Sequence, residues 1–399
     1  MKVLKDSFIY LIGELFAKSL PFLMLPYLTR KLGPDGFGEL SYYLTMLSLF
    51  GIFVGLSQDG AVTRYFYFYG KKALNTVVKA GYLFNILISS LLLMVCWWYK
   101  AEIIAYIVLA TMFQSFVSVQ LALRQCQKQP FKYITIQIIF SLTNVVFTVA
   151  ALEYFTEDLV VYRILAIVLA NFTTFIIASL FLGDLFRDSS HFTWSRLRLS
   201  LLYIFSFGIP LIIHQSNFFI KGQLDRVLIY QKYSNAELGL YAAGVQIAAV
   251  LPIIFMALNK AIVPYYYQGL KEGTLNVAKI KRYTLYTMPF GIIPALIGYF
   301  LPEYFYLWFL SEDYGSSKYY AVMYLIGYGA NLPYLMLVNY FFYNGHNLII
   351  SKMTLASAIV YLILLYFFSL FGIEYIPFSL IFSNLILILI MWRFLKDEN

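Results

Sequence analysis

With 399 residues, 61% of them hydrophobic and only 12% charged, and a mean hydropathy of +0.74, the chain is too apolar for a soluble globular domain, in which about a quarter of residues are charged. Its apolar runs are continuous rather than alternating, which excludes an outer-membrane barrel and points to an all-α integral membrane protein. The net charge of +9 does not mark a nucleic-acid-binding protein, because the basic residues sit in short loops between apolar runs, where they attract anionic lipid headgroups.

In chain order, twelve spans are expected: 8–29, 38–58, 78–99, 102–123, 133–153, 159–183, 201–223, 238–260, 284–301, 319–343, 350–371 and 375–395. The start, "MKVLKDSFIY", resembles a signal peptide. Glu14 and Lys18 interrupt its apolar region and no small-residue cleavage site follows, so it is read as the first span. Glu14 and Lys18 are four apart and share one helical face. A charge at a helix centre costs about 2.5–3.5 kcal/mol, so the pair is expected to face the bundle interior or a water-filled cavity. Asp59 and Arg64 close the end of span 2. Span 5 carries a polar stripe, Gln137, Ser141, Asn144 and Thr148, and Arg163 enters span 6. In span 7, "HQSNFFIKGQLDR" places His214, Asn217, Lys221 and Asp225 on one stripe, and Gln246 follows in span 8. Spans 11 and 12 are nearly uniformly apolar, while Pro21, Pro26, Pro210, Pro252, Pro289, Pro294 and Pro333 predict kinks elsewhere.

The even count puts both termini on one side. Lys and Arg concentrate in the loops of that side and acids in the others, so both termini are expected in the cytoplasm. The connection 261–283, "GLKEGTLNVAKIKRY" within it, reads either as an amphipathic helix on the inner leaflet or as a solvated loop. Aromatic clusters such as "WWY" at 97–99, and Tyr304, Tyr306 and Trp308, fit an interfacial belt. Cys96 and Cys126 fall near opposite faces and are not expected to pair.

An internal repeat is visible. "RKLGPDGFGELSYY" at 30–43 resembles "QKYSNAELGLYAA" at 231–243, and "AVTRYFY" at 61–67 resembles "AIVPYYY" at 261–267, with offsets near 200. Two six-span lobes follow, 1–183 and 201–399 joined by a linker at 184–200, related by a pseudo-twofold axis along the membrane normal. A polar cavity between them, lined mainly by spans 1, 2, 5, 7 and 8, would shelter the buried charges.

Several chemistries are missing. No Gly-rich loop ending in Gly-Lys-Ser or Gly-Lys-Thr appears, so ATP hydrolysis is not expected. His191, His214 and His346 are scattered and two cysteines cannot complete a zinc set. No nucleophile–base–acid constellation is visible, so the chain is expected to be a transporter rather than an enzyme, without a cofactor.

The blocks "LPYLTRKLGPDGFGELSYYLTMLSLFGIFVGLSQDGAVTRYF" (25–66) and "FGIPLIIHQSNFFIKGQLDRVLIYQKYSNAELGLYAAGVQIAAVL" (207–251) resemble signatures of the polysaccharide-biosynthesis, O-antigen flippase family. That family lies in the superfamily that also holds multidrug exporters and the lipid II flippase. The resemblance implies movement of an undecaprenyl-pyrophosphate-linked oligosaccharide from the cytoplasmic to the periplasmic leaflet of the bacterial inner membrane, by alternating access. Under it, Lys18, Lys221 and Arg64, with Arg30 at the outer mouth, become pyrophosphate contacts. Gln137, Asn144, His214, Asn217 and Gln246 become sugar contacts. Glu14 and Asp225 become coupling sites for H+ or Na+. Membrane lipids and glycan polymerases are the implied partners, and an ion-coupled multidrug exporter is the alternative.

Overall fold

The computed structural model describes residues 19–20, 22–71, 73–181 and 193–395. Glu14, Lys18, Pro21 and His191 lie outside the described residues, as does most of the expected first span. Among the described residues the regular structure is helical: α1 Leu25–Gly55, α2 Gln58–Tyr69, α3 Leu74–Tyr99, α4 Glu102–Cys126, α5 Pro130–Tyr154, α6 Leu159–Phe181, α7 Trp194–Lys232, α8 Asn235–Ala248, α9 Val250–Lys271, α10 Val277–Phe300, α11 Glu303–Phe309, α12 Ser317–Gly329, α13 Asn331–Tyr343, α14 Asn347–Phe368 and α15 Pro377–Phe394. Merged across short breaks, these give 10 helices long and apolar enough to cross a membrane, or 11 with the bent pair α10–α11. The chain is therefore a multi-pass membrane protein.

Beyond the ninth span the chain stays helical: α11 turns 85° away from α10. One expectation is corrected. The stretch 261–283 is neither one amphipathic helix nor a long loop. It is the end of α9, a tight turn through Gly273 (φ +70), and the start of α10, whose N-terminus the Asn276 side chain caps by accepting from the Lys279 N–H.

The chain divides into two compact units. Of the described residues, the first holds 19–20, 22–24 and those within Tyr42–Phe219, and the second holds Leu25–Ser41 with everything from Ile220 onward. The boundaries fall inside α1 and α7 rather than in a linker. In the first unit, Leu56, Val62, Leu74, Val77, Phe116, Leu123 and Ile204 pack into a buried core. In the second, Ile280, Leu337, Phe341, Met353, Ile388 and Met391 do the same. Trp97, Trp98 and Tyr99 are exposed at the end of α3, as suits rings at a membrane–water interface.

The repeat-related blocks both carry a helix break, made by different chemistry. In α1, Gly33 takes a left-handed conformation (φ +64) and Pro34 restarts the helix. At the equivalent place Ser234 caps α8, its hydroxyl accepting from the Glu237 N–H while Glu237 reaches back to the Ser234 N–H. Just beyond, within the second unit, the two segments cross backbone to backbone. A Cβ at Gly38 would strike the Asn235 carbonyl and the Gly239 N–H, and a Cβ at Gly239 would strike the Pro34 carbonyl and the Gly38 N–H. Only glycine allows this approach.

Candidate functional site

The first unit is shaped by a break between α1 and α2. Leu56 and Ser57 both adopt positive φ, +43° and +50°, a conformation that costs a non-glycine residue about 1–2 kcal/mol. Side chains from three other helices hold it. Gln215 of α7 donates to the Ser57 hydroxyl at 2.8 Å. Buried Gln58 donates to the Asn85 side-chain oxygen at 2.6 Å and to the Gly81 carbonyl at 3.1 Å. Asn85 in turn donates to the Ser115 hydroxyl at 2.7 Å. Gly208 lets α7 pass against the Leu56 carbonyl, where a Cβ would collide. A helix broken at membrane depth frees backbone groups, and such breaks are tolerated where they are buried in protein or line a polar cavity.

Here a polar cleft opens beside the break. One part, 220 Å³, is lined by Ser48, Gly55, Asp59, Gln114, Ser118 and Gln215 among others. The adjoining part, 570 Å³, shares Asp59 and Ser118 and adds Thr63, Arg64, Gln125, Tyr133 and Phe207. Asp59 lies in the first turn of α2, where the helix dipole favours a carboxylate. The Arg64 guanidinium stands over three rings, 5.4 Å from Phe68, 5.9 Å from Phe207 and 6.0 Å from Tyr203. It has no hydrogen-bond acceptor among the described residues, and the side chains of Asp59, Gln114 and Ser118 likewise have no hydrogen-bond partner among them. A guanidinium set over aromatic faces, its N–H groups without a protein acceptor among the described residues, has the chemistry to take an anion.

The second unit holds its charges differently. Lys221 donates to Asn384 Oδ1 at 2.6 Å and Ser357 Oγ at 2.9 Å, tying α7 to α14 and α15. Asp225, one turn on and only 1% exposed, accepts from the phenols of Tyr241 and Tyr324 at 2.5 Å each and from the Arg226 N–H at 2.9 Å. The two phenols also touch each other. Lys221 and Asp225 share a helical face yet do not pair.

The other sequence-derived residues separate. Arg30 donates to the Trp308 carbonyl, and neighbouring Thr29 donates to the Leu310 carbonyl at 2.9 Å, so the "LTR" block braces the end of α11. Buried Tyr314 donates to the Thr29 carbonyl at 3.5 Å. Burial, reinforced by Asp313 and Asp35, holds its phenol above its ordinary range and keeps it protonated. Gln137 donates to the phenol of Tyr133, which lines the cleft. Asn144 is engaged: its oxygen and the Thr148 hydroxyl accept from the buried guanidinium of Arg163 at 3.2 and 2.7 Å. His214 is exposed and packs edge-on at 5.0 Å from Phe218. Asn217 is half-buried in α7, and Gln246 lies half-buried in α8 of the second unit. Sequence reasoning missed Gln58, Asn85, Gln114 and Gln215. The signal for the break was present in "GLSQDG" (55–60), a cluster of turn-forming and polar residues inside an apolar run.

Long apolar helices that are interrupted, with a polar cleft at the interruption, are an arrangement that membrane transporters use. The comparisons place the chain further. A family model described as polysaccharide biosynthesis protein matches residues 3–269. The Lsg locus protein 1 of Haemophilus influenzae is 47% identical over 392 residues, covering 98% of each chain. A second Haemophilus influenzae relative, an uncharacterized membrane protein, is 44% identical over 401 residues, covering 100% of this chain and 99% of its own. The chain belongs to the polysaccharide biosynthesis protein family. Among solved structures, the lipid II flippase MurJ in its inward closed conformation superimposes with a TM-score of 0.69 at 12% identity, over 96% of this chain and 86% of that one. An inward-facing multidrug resistance MATE transporter of the MOP superfamily gives 0.68 at 14% identity, over 94% and 93%. These two solved structures, a flippase and a transporter, share the fold of this chain.

Proposed function

We propose that the chain is a flippase that carries an undecaprenyl-pyrophosphate-linked oligosaccharide from the cytoplasmic to the periplasmic leaflet of the bacterial inner membrane. The observation that carries this reading is Arg64, a guanidinium braced by three aromatic faces, without an acceptor among the described residues, on the wall of a polar cleft at a broken helix. A pyrophosphate is the anion of the carrier lipid, and a planar guanidinium binds its oxygens in pairs. Gln114, Gln125, Gln137 through Tyr133, Asn217 and Gln246 supply hydrogen bonds for sugar hydroxyls. Lys221 reaches the headgroup only by giving up Ser357 and Asn384. Lys18 is the further headgroup contact, and Glu14 with Asp225 the sites for a coupling H+ or Na+.

Twelve spans in two six-helix lobes, related by a pseudo-twofold axis along the membrane normal and with both termini cytoplasmic, complete the proposal. The crossing at Gly38 and Gly239 supports the axis. Each glycine meets the other, and each also meets the carbonyl four residues before the other, Asn235 or Pro34. Reciprocal contact between equivalent positions is what a twofold generates.

Complementation of a flippase-null strain tests the function. Arg64→Ala is expected to abolish rescue with normal membrane levels, and full rescue would reject the site. An exporter of cationic drugs would instead rest on Asp59 in the same cleft. For a flippase, Asp59→Asn is expected to leave pyrophosphate binding intact or stronger, because it removes a like charge from the anion's surroundings. For the exporter it abolishes drug resistance.

A further inference from the structure

A third cleft of the first unit stands apart from the two that adjoin at the helix break. It measures 640 Å³ and is lined by Tyr43, Lys100, Glu102, Tyr106, Asp158 and Tyr162 among others. Its place is set by two helices. Along α1 and α2, Tyr43 belongs to this cleft, Leu47 through Gly55 to the part beside the break, and Asp59 through Tyr67 to the part with Arg64. Along α4 the same order repeats, with 102–106, then 111–118, then 118–125. The three clefts follow one another between the same helices, and α4, with 25 residues, is about 37 Å long. The third cleft therefore lies at the opposite end of the first unit from Arg64.

Its chemistry differs from that of the Arg64 end. Lys100, Glu102 and Asp158 are exposed, and their side chains have no partner among the described residues. Two carboxylates against one ammonium leave a net negative charge, which repels phosphate. Tyr162 is stacked flat on Phe155, with centroids 3.6 Å apart and planes 2° apart, so its ring is fixed. Lys100 (φ +52) and Asp158 (φ +50) both hold left-handed backbone at the cleft rim, a conformation maintained at a cost. Aromatic rings, that of Tyr162 held by stacking, beside carboxylate acceptors suit the apolar face and paired hydroxyls of a sugar ring, not an anion.

We propose that this cleft is a carbohydrate-binding site, taking a neutral or amino-bearing sugar of the glycan. It rests on the flippase reading for its source of sugar. The pyrophosphate end of the substrate and its glycan then engage opposite ends of one unit, the anion at Arg64 and a sugar between Tyr106, Tyr162 and the two carboxylates.

Saturation-transfer NMR on the full chain in lipid nanodiscs tests this, with methyl glycosides of glucose, galactose and N-acetylglucosamine as probes. At least one is expected to receive transfer from the wild-type protein. That transfer should fall about tenfold in the double variant Glu102→Gln, Asp158→Asn, which removes charged acceptors and keeps a residue tolerant of positive φ. Tyr106→Ala should lower it independently of charge. No transfer to any glycoside, or transfer unchanged in both variants, overturns the site. Binding of inorganic pyrophosphate, followed by calorimetry, is expected to be lost in Arg64→Ala and kept in the cleft variants. Pyrophosphate binding indifferent to Arg64 would overturn the headgroup reading while leaving the sugar cleft to stand on the glycoside result.

Discussion

In the second unit, the ammonium of Lys221 and the carboxylate of Asp225 end on protein groups: Ser357 and Asn384 for one, Tyr241, Tyr324 and the Arg226 N–H for the other. In the first unit, Arg64 and Asp59 line a cleft and end on no hydrogen-bonding side chain among the described residues. A polar group away from water is costly unless its bonding capacity is met. The satisfied set in the second unit holds helices together. Arg64 and Asp59 of the first are exposed on the cleft wall, where they need no protein partner and stay available to a ligand.

Substitutions can break or sharpen this contrast. The largest effect is expected from Asp225→Ala, which leaves two buried phenols without their shared acceptor. At about 1–3 kcal/mol for each of the two orphaned groups, the loss is about 2–6 kcal/mol, read as a fall in melting temperature and folded yield in detergent. An unchanged melting temperature would show that the cluster is not structural. Lys221→Met comes next. Ser357 still donates to the Ser383 carbonyl, but Asn384 Oδ1 loses its donor, for about 2 kcal/mol. A variant of wild-type stability with no transport would move Lys221 from tie to ligand contact. Arg64→Ala should change stability by no more than about 0.5 kcal/mol while lowering transport by about tenfold or more. An equal loss of stability would place Arg64 with the satisfied set. The smallest effect is expected for Ser234→Ala, which removes one half of a capping box for about 1 kcal/mol, visible as a small shift in thermal unfolding with transport retained.

Parts of this site were legible in the amino-acid order. Asp59 and Arg64 stood out as charges at the end of an apolar run, and the stripe through Lys221 and Asp225 followed from helical spacing. Their partners were not legible. Spacing places Lys221 and Asp225 on one face, but long side chains choose among acceptors supplied by other helices, and Ser357 and Tyr324 lie far off in sequence. Asn144 and Thr148 read as a free polar stripe until Arg163, from the next helix, was found bonded to both. The cluster "GLSQDG" carried the signal of a break, yet its bend needs Gln215, Asn85 and Gly208 around it to persist.

The sequence alone determined that this is a helical multi-pass membrane protein, because hydropathy and the spacing of apolar runs act locally and in fixed order. The tertiary structure decided that the buried charges of the second unit are tied while Arg64 and Asp59 stand open on a cleft wall, where α1 breaks, that α11 turns aside from α10, and that Gly38 meets Gly239. Those outcomes depend on which distant carbonyl, hydroxyl or ring arrives within bonding distance, and only the packing of the helices sets that.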